Sequence, residues 1–180
     1  MMSLPAESQL RGKSDEESPI LPDVLQLGLK LVFCGTAAGK RSAMERAYYA
    51  HPGNLFWRAL FEASLTPRQL APAEFPQLLD YGIGLTDLAK RHSGNDNELP
   101  RDAFDVPALI AKIERYAPRL LAFTSKHAAR AVLDHAVDYG IQTQTIASTQ
   151  LFVLPSPSGQ ARGHWNLTPW QALSDCVRKL

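Results

Sequence analysis

The order of apolar and polar positions along the chain predicts strands alternating with helices. Residues 29–34 form a short apolar run that stops at a glycine, which is typical of a buried strand. Residues 119–124 repeat that pattern, and shorter runs at residues 143–147 and 150–154 are two further strand candidates. The pattern therefore predicts four strands.

Between these runs, apolar residues recur at helical spacing. Residues 55–63 place them on one helical face, with Asn54 as a suitable N-cap. Residues 104–117 and 125–139 show two more helical stretches, the second stopped by a glycine. A last helix is predicted around residues 170–177.

This alternation predicts one α/β domain with three layers, α/β/α, around a central four-stranded, mostly parallel sheet. Such sheets bind ligands at the carboxyl ends of their strands. Residues 35–54, the loop after residue 124 and residues 155–164 are therefore the segments in which we expect a site. Residues 1–22 carry acidic residues among serines and prolines, so we expect a disordered tail followed by a domain over residues 23–180.

Composition narrows the class of protein. The chain has 180 residues, 45% of them hydrophobic, which suits one domain with a proper core. No run of about 18 apolar residues occurs, so no membrane association is expected. Cys34 and Cys176 are too few and too far apart for a four-cysteine metal site, so we predict no metal, no cofactor and a reducing, cytoplasmic setting. The formal net charge of +1 means that attraction to nucleic acid would have to come from a local patch.

One segment is similar to a nucleotide-binding motif, but its residues do not have the spacing that the motif requires. Residues 35–40 read GTAAGK after a strand, but a phosphate-binding P-loop needs four residues between its glycines and Ser or Thr after the lysine. Here three residues intervene and Arg41 follows. The small residues still allow a flat ligand to approach the backbone closely.

Four segments together resemble a known family. Residues 33–39 read FCGTAAG, residues 48–57 read YYAHPGNLFW, residues 81–91 read YGIGLTDLAKR, and residues 154–162 read LPSPSGQAR. In this order, over about residues 29–180, they resemble the uracil-DNA glycosylase superfamily. Two branches stay open, because mismatch-specific uracil/thymine glycosylases share the FCG loop and hypoxanthine-DNA glycosylases share the YYxHPxNxFW segment.

The resemblance implies a four-stranded parallel sheet with a base pocket at its carboxyl edge. It also implies a monomeric enzyme that acts on DNA without a cofactor. Such an enzyme extrudes a deaminated or mismatched base and hydrolyses its N-glycosidic bond. One departure matters: mismatch-specific members carry a water-positioning asparagine where this chain has Ala37, and a proline where it has Ala38.

The candidate catalytic residues are Asn54 and Asp87. Breaking the glycosidic bond builds positive charge on the sugar, so a carboxylate or an oriented water is needed. Asn54 matches an asparagine that shares catalytic duty in the hypoxanthine branch, but it equally suits an ordinary N-cap. Asp87 is the nearest matched carboxylate, but it equally suits a turn at residues 86–88.

The remaining candidates would hold the base or the DNA backbone. The predicted base-binding residues are Gly35, Thr36, Ala37, Tyr49 and His51. Tyr49 matches a family position whose ring stacks on the flipped base, whereas Phe56 and Trp57 are predicted to be core. The predicted DNA-binding residues are Lys40, Ser156, Ser158, Gly159, Gln160 and Arg162. In the resemblance, Gly159, Gln160 and Arg162 belong to the loop that fills the gap left by the base.

A phosphate-binding patch is also possible if the basic residues of the strand-end loops converge. Those residues are Lys40, Arg41, Lys90, Arg91 and Lys126.

Other functions stay open at this point. The chain could be a damage-binding module that kept the pocket but lost catalysis at Ala37, or a glycosidase of free nucleosides that needs no DNA contacts. An enzyme that also cleaves the DNA strand would need a lysine that forms a Schiff base. Lys40 and Lys126 are close to the predicted site loops in the sequence, but nothing else favours this role for them. We therefore expect a monofunctional enzyme that uses water.

Overall fold

The fold is built on one five-stranded sheet. The computed structural model describes residues 18–180. The strands are β1 (Leu31–Ala38), β2 (Ile83–Ser93), β3 (Leu120–Phe123), β4 (Gly140–Ile146) and β5 (Thr149–Val153). They lie in the order β2-β1-β3-β5-β4, with β4 antiparallel to β5 and all other neighbours parallel.

Five α-helices connect and cover the strands. They are α1 (Lys40–Glu45), α2 (Phe56–Glu62), α3 (Val106–Tyr116), α4 (Lys126–Leu133) and α5 (Thr168–Arg178). Three 3₁₀ segments, Pro72–Tyr81, Asp96–Glu98 and Gly159–His164, complete the regular structure of the described residues.

Side-chain alternation along β1 shows the layers. Phe33 points to one face, where its ring lies 5.1 Å from Phe56 of α2 and 5.7 Å from Trp170 of α5. Cys34 points to the other face, into a core that includes Ile113 of α3 and residues of α4. The sheet is thus covered on both faces, as the three-layer α/β/α prediction requires.

The predicted strand count was one short, because β2 was missed. Its sequence, IGLTDLAKRHS, mixes Thr86, Asp87 and Lys90 with apolar residues and shows neither an apolar run nor a strict alternation. Residues 83–89 are nevertheless buried. Val24 pairs antiparallel with Leu85, so the chain preceding β1 covers the outer edge of β2.

Two other predicted bounds change. β1 runs on through residues 35–38, because Gly35 and Ala37 pair with β2, and α1 then begins directly after Gly39. The helix predicted over residues 125–139 is confirmed only as far as Leu133. It ends where Asp134 takes a left-handed conformation with φ 55°. Residues 134–139 then lead into β4.

Residues 18–22, which the sequence assigned to the tail, pack against the domain. Leu21 is 1% exposed, and the Ile20 amide donates to the Lys90 carbonyl at 2.7 Å. The rest of the predicted tail, residues 1–17, lies outside the described residues. Across residues 18–180, no helix combines the length and the apolar character needed to cross a membrane.

Candidate active site

A cleft of about 880 Å³ opens at the carboxyl edge of the sheet. Its walls come from the ends of β1, β2 and β3 and from the loop that follows β5. The predicted catalytic, base-binding and DNA-binding residues all line this cleft: Gly35, Thr36, Ala37, Lys40, Tyr49, His51, Asn54, Asp87, Ser156, Ser158, Gly159, Gln160 and Arg162. The residues converge because the loops that follow parallel strands meet at the carboxyl edge of the sheet, where such folds bind ligands.

The floor of the cleft is crowded around Gly35. Gly35 pairs with Asp87 across β1 and β2. A Cβ at position 35 would lie 2.8 Å from the Asp87 Oδ1, 3.4 Å from the Tyr49 hydroxyl and 3.5 Å from the Thr124 Oγ1. The Tyr49 hydroxyl in turn lies 3.4 Å from Thr124 Oγ1. Only glycine lets these three groups meet at one point.

Asp87 is a buried carboxylate with an altered acidity. It is 5% exposed, and no salt bridge within residues 18–180 involves it. Burial raises its pKa to about 6, Lys90 opposes that rise, Asp23 adds to it, and Lys112 opposes it. At neutral pH the group is therefore mostly ionised, yet it accepts a proton far more readily than an exposed aspartate does. The alternative of a turn cap does not hold, because Asp87 lies within a strand.

Tyr49 presents an aromatic ring to the cleft. Its backbone is left-handed, with φ 50°, which is unusual for a bulky residue. One ring face lies against Phe56, with centroids 3.8 Å apart and planes 17° apart. Phe56 and Trp57 are buried, as predicted for core residues. Tyr49 is thus held as a platform whose hydroxyl reaches the floor of the cleft.

Asn54 and His51 each make a local hydrogen bond. The N-cap of α2 is Leu55 and not Asn54 as predicted, but the Phe56 amide donates to Asn54 Oδ1 at 2.9 Å, so Asn54 caps the first turn from one position earlier. Its side-chain nitrogen makes no hydrogen bond within residues 18–180. The Gly53 amide donates to His51 Nδ1 at 2.9 Å, which leaves Nε2 as the position for the proton of the neutral ring.

The loop after β5 docks onto the segment that contains Asn54. The Leu55 amide donates to the Pro157 carbonyl at 2.8 Å. A Cβ on Gly159 would lie 3.2 Å from the Gly53 carbonyl oxygen, and Arg162 donates to that same oxygen at 3.4 Å. Ser158 caps the 3₁₀ segment that holds Arg162, by accepting from the Gln160 amide. The two sequence motifs therefore form one continuous wall.

The opposite rim is acidic and rich in amides. Residues 94–97 line the cleft there, a feature that the sequence did not predict. Thr36 donates to Asp96 Oδ1 at 2.6 Å, and Lys40 is paired with Glu98 at 2.7 Å. Lys40 is therefore at the cleft, as predicted, but its charge is partly neutralised.

The predicted basic patch does not assemble in full. Lys90 lies within β2 rather than a loop, and its Nζ lies 2.9 Å from Asp23. Lys126 lies over the Tyr139 ring at 4.5 Å. Of the five predicted patch residues, Lys40 is the one that lines the cleft. Among residues 18–180 no group of three or more His, Cys, Asp and Glu side chains is placed to hold a metal ion.

Thr124 and Ser125 also line the cleft, although no role was assigned to them from the sequence. The available signal was their position at the end of a predicted strand, with Thr124 as its last predicted residue and Ser125 directly after it. Ser125 caps α4 by accepting from the Ala128 amide at 3.1 Å.

The fold and the site define a three-layer α/β protein with one cleft at the carboxyl edge of its sheet. A family model described as the uracil DNA glycosylase superfamily matches residues 22–177. The chain belongs to that superfamily, whose members are DNA glycosylases. A solution NMR structure of a candidate uracil DNA glycosylase from Methanosarcina acetivorans is similar in fold, with a TM-score of 0.63 and 23% identity. The match covers 88% of this chain and 96% of that one.

Proposed function

We propose that this protein is a monofunctional DNA glycosylase that extrudes a deaminated or mismatched base, such as uracil or hypoxanthine, and hydrolyses its N-glycosidic bond. The observation that carries the proposal is the buried Asp87 carboxylate, which lies with the Tyr49 hydroxyl next to Gly35 at the floor of the cleft. Membership of the superfamily supports the reaction class.

In the proposed reaction the extruded base stacks beside Tyr49, and Asp87 lies on the side of the sugar. As the C1′–N bond breaks, its electron pair leaves with the base and positive charge builds on the sugar. Water forms the new bond to C1′ and gives one proton to Asp87. Asp87 later releases that proton to solvent, and the departing base takes up one proton from solvent.

In this proposal Asp87 activates the water, which Ala37 cannot do. Ala37 offers only a methyl group, whereas Asp87 both accepts a proton and stabilises a cation. Because its pKa is about 6, we expect the rate to fall as the pH drops through about 6. The Asn54 side-chain nitrogen is the donor that we assign to the base edge or to the water.

The remaining lining residues are proposed to hold DNA. Ser156, Ser158 and their backbone amides suit phosphate oxygens, while Arg162 suits the partner base or the vacated stack. His51 and Thr36 are proposed to contact the base. We also propose that the protein acts as a monomer in the compartment that holds the DNA.

The test uses labelled duplexes that contain one uracil, one hypoxanthine or one G·T mismatch, with abasic sites scored by alkaline cleavage. Wild type is compared with Asp87→Asn and with Asp175→Asn, a matched change on the exposed surface of α5. We expect abasic product from at least one duplex, and a loss of about 10²–10⁴-fold in rate for Asp87→Asn only.

Two outcomes would contradict this function. Selective binding of a damaged duplex without abasic product identifies a damage-binding module, which the methyl group at Ala37 would explain. Release of base from free nucleosides, unaffected by Arg162→Ala, identifies a nucleoside glycosidase instead.

A further inference from the structure

An ion-pair cluster lies beside the cleft and outside the site described so far. Asp23, in the segment that covers the edge of β2, pairs with Lys90 of β2 at 2.9 Å and with Lys112 of α3 at 2.7 Å. Thr86 also donates to Asp23 at 2.7 Å. Lys90 is 14% exposed and Lys112 26%, so both cations are largely removed from water.

Lys90 connects this cluster to Tyr48, the residue before Tyr49. Its Nζ donates to the Tyr48 hydroxyl at 3.0 Å and lies 5.5 Å from the centre of that ring. The Tyr48 hydroxyl donates onward to the Pro22 carbonyl at 2.9 Å. Lys112 makes no contact with Tyr48 within the described residues. Both lysines therefore pair with Asp23, but only Lys90 also binds Tyr48.

Tyr48 sets the position of its neighbour Tyr49. The Tyr48 carbonyl accepts from Trp57 Nε1 at 3.1 Å, and the Ala50 amide donates to Ser42 Oγ at 3.0 Å. The left-handed conformation of Tyr49 lies between these two anchors, and such a conformation persists only where the surroundings fix it.

We propose that Lys90 is a positioning residue that, held by Asp23, fixes the Tyr48–Tyr49 turn and supplies positive charge to the Asp87 site from the same strand, three residues further along β2. This inference rests on the proposed function, because it assigns Lys90 to the machinery around Asp87. It also makes the segment at residues 20–24 part of the site, and Leu21 of that segment lines the cleft.

The charges around Asp87 support this assignment. Burial raises the pKa of Asp87 to about 6, Lys90 is the largest influence that lowers it, Asp23 raises it, and Lys112 lowers it less than Lys90 does. The Tyr49 hydroxyl and Thr124 Oγ1 lie with the Asp87 carboxylate around Gly35, and the Cys34 thiol precedes Gly35 in β1. Burial raises the pKa values of the Cys34 and Tyr49 groups, so both are neutral at pH 7. Apart from Lys90, the influence that offsets the burial of Asp87 is the weaker one of Lys112 on α3.

The experiment compares Lys90→Met with its matched control Lys112→Met, which also removes one cation from Asp23 but leaves the Tyr48 contact. Lys90→Arg restores the charge. The readouts are the pH profile of single-turnover base release, the KM under multiple turnover, and the titration of the Asp87 carboxyl carbon by NMR. We expect Lys90→Met to move the acidic limb and the carboxyl titration upward by about half a pH unit or more. We also expect a rise in KM as the Tyr48–Tyr49 turn loosens. Lys112→Met should cause the smaller shift, and Lys90→Arg should recover the wild-type profile.

Equal shifts for the two methionine variants, or no shift for Lys90→Met, would overturn the proposal. If Lys90→Met does not fold, Asp23→Asn gives the test, because it releases Lys90 without removing its charge. The KM should then rise while the carboxyl titration does not move upward. The NMR titration needs no turnover, so a wild type without abasic product defeats the proposed function while still deciding the role of Lys90.

Discussion

Asn54 illustrates how one side chain can serve structure and chemistry through different atoms. Its Oδ1 accepts from the Phe56 amide at the start of α2, and the residue also lines the cleft. Its side-chain nitrogen makes no hydrogen bond within residues 18–180. A substitution to alanine removes both functions at once, and therefore cannot separate them.

Asn54→Ser separates the two. A serine oxygen still accepts from the Phe56 amide, so stability should be retained, whereas Asn54→Ala should lose about 1 kcal/mol. Both variants lack the nitrogen, so both should lose base release by about 10–100-fold, the cost of one unmade hydrogen bond at the reacting group. Thermal unfolding and single-turnover kinetics on the same preparations measure the two effects. A serine variant with wild-type rates would restrict Asn54 to capping.

At the scale of elements, the cleft has two unlike rims. The loop after β5 brings Ser158, Gly159 and Arg162, while residues 94–97, just after β2, bring a carboxylate and amides. A phosphate backbone is attracted to the first rim and repelled by the second. Next to this rim, Glu98 forms an ion pair with Lys40 and partly neutralises its charge.

Glu98→Gln should therefore tighten DNA binding. The change frees the Lys40 ammonium group, and one further phosphate contact should steepen the slope of log K against log salt by about one. Affinity at low salt should rise about two- to fivefold, because the exposed pair itself is weak. Fluorescence anisotropy over a salt series measures both values.

The matched control is Glu62→Gln, which breaks the Arg58–Glu62 pair on α2 away from the cleft. A steeper slope in that variant as well would indicate a general charge effect and not the release of Lys40.

At the scale of the whole molecule, the Asp87 carboxylate costs stability. Its pKa is about 6 in the folded protein against an ordinary value of 3.8, so folding favours the protonated form. The stability that this gives is fully present below about pH 3.8 and is lost as the pH rises through 6. Above pH 6 the folded protein carries a buried charge that the unfolded chain hydrates freely.

Asp87→Asn should consequently stabilise the protein while it slows base release. The gain in the free energy of unfolding should be on the order of 3 kcal/mol at pH 8 and should vanish near pH 4. Urea unfolding at the two pH values measures it, with the exposed Asp175→Asn as the variant in which no such difference is expected. A variant that is less stable than wild type at pH 8 would mean that the carboxylate makes favourable contacts in the fold.

The sequence determined the elements with a clear period. The apolar runs of β1, β3 and β5 and the helical faces of α2, α3 and α5 are decided by neighbours along the chain, so local pattern reveals them. The motifs at residues 33–39, 48–57 and 154–162 indicated the family and the residues that line the cleft, because a site at the ends of parallel strands is assembled from the loops after them.

Only the tertiary structure decided the rest. β2 is a strand because Val24 pairs with one edge of it and β1 with the other. Its Thr86 and Lys90 are tolerated because both bond to Asp23. The altered acidity of Asp87, the neutralised Lys40 and the anchored Lys90 all depend on contacts between residues far apart in the chain. Burial and charge are properties of the folded arrangement, so no local pattern carries them.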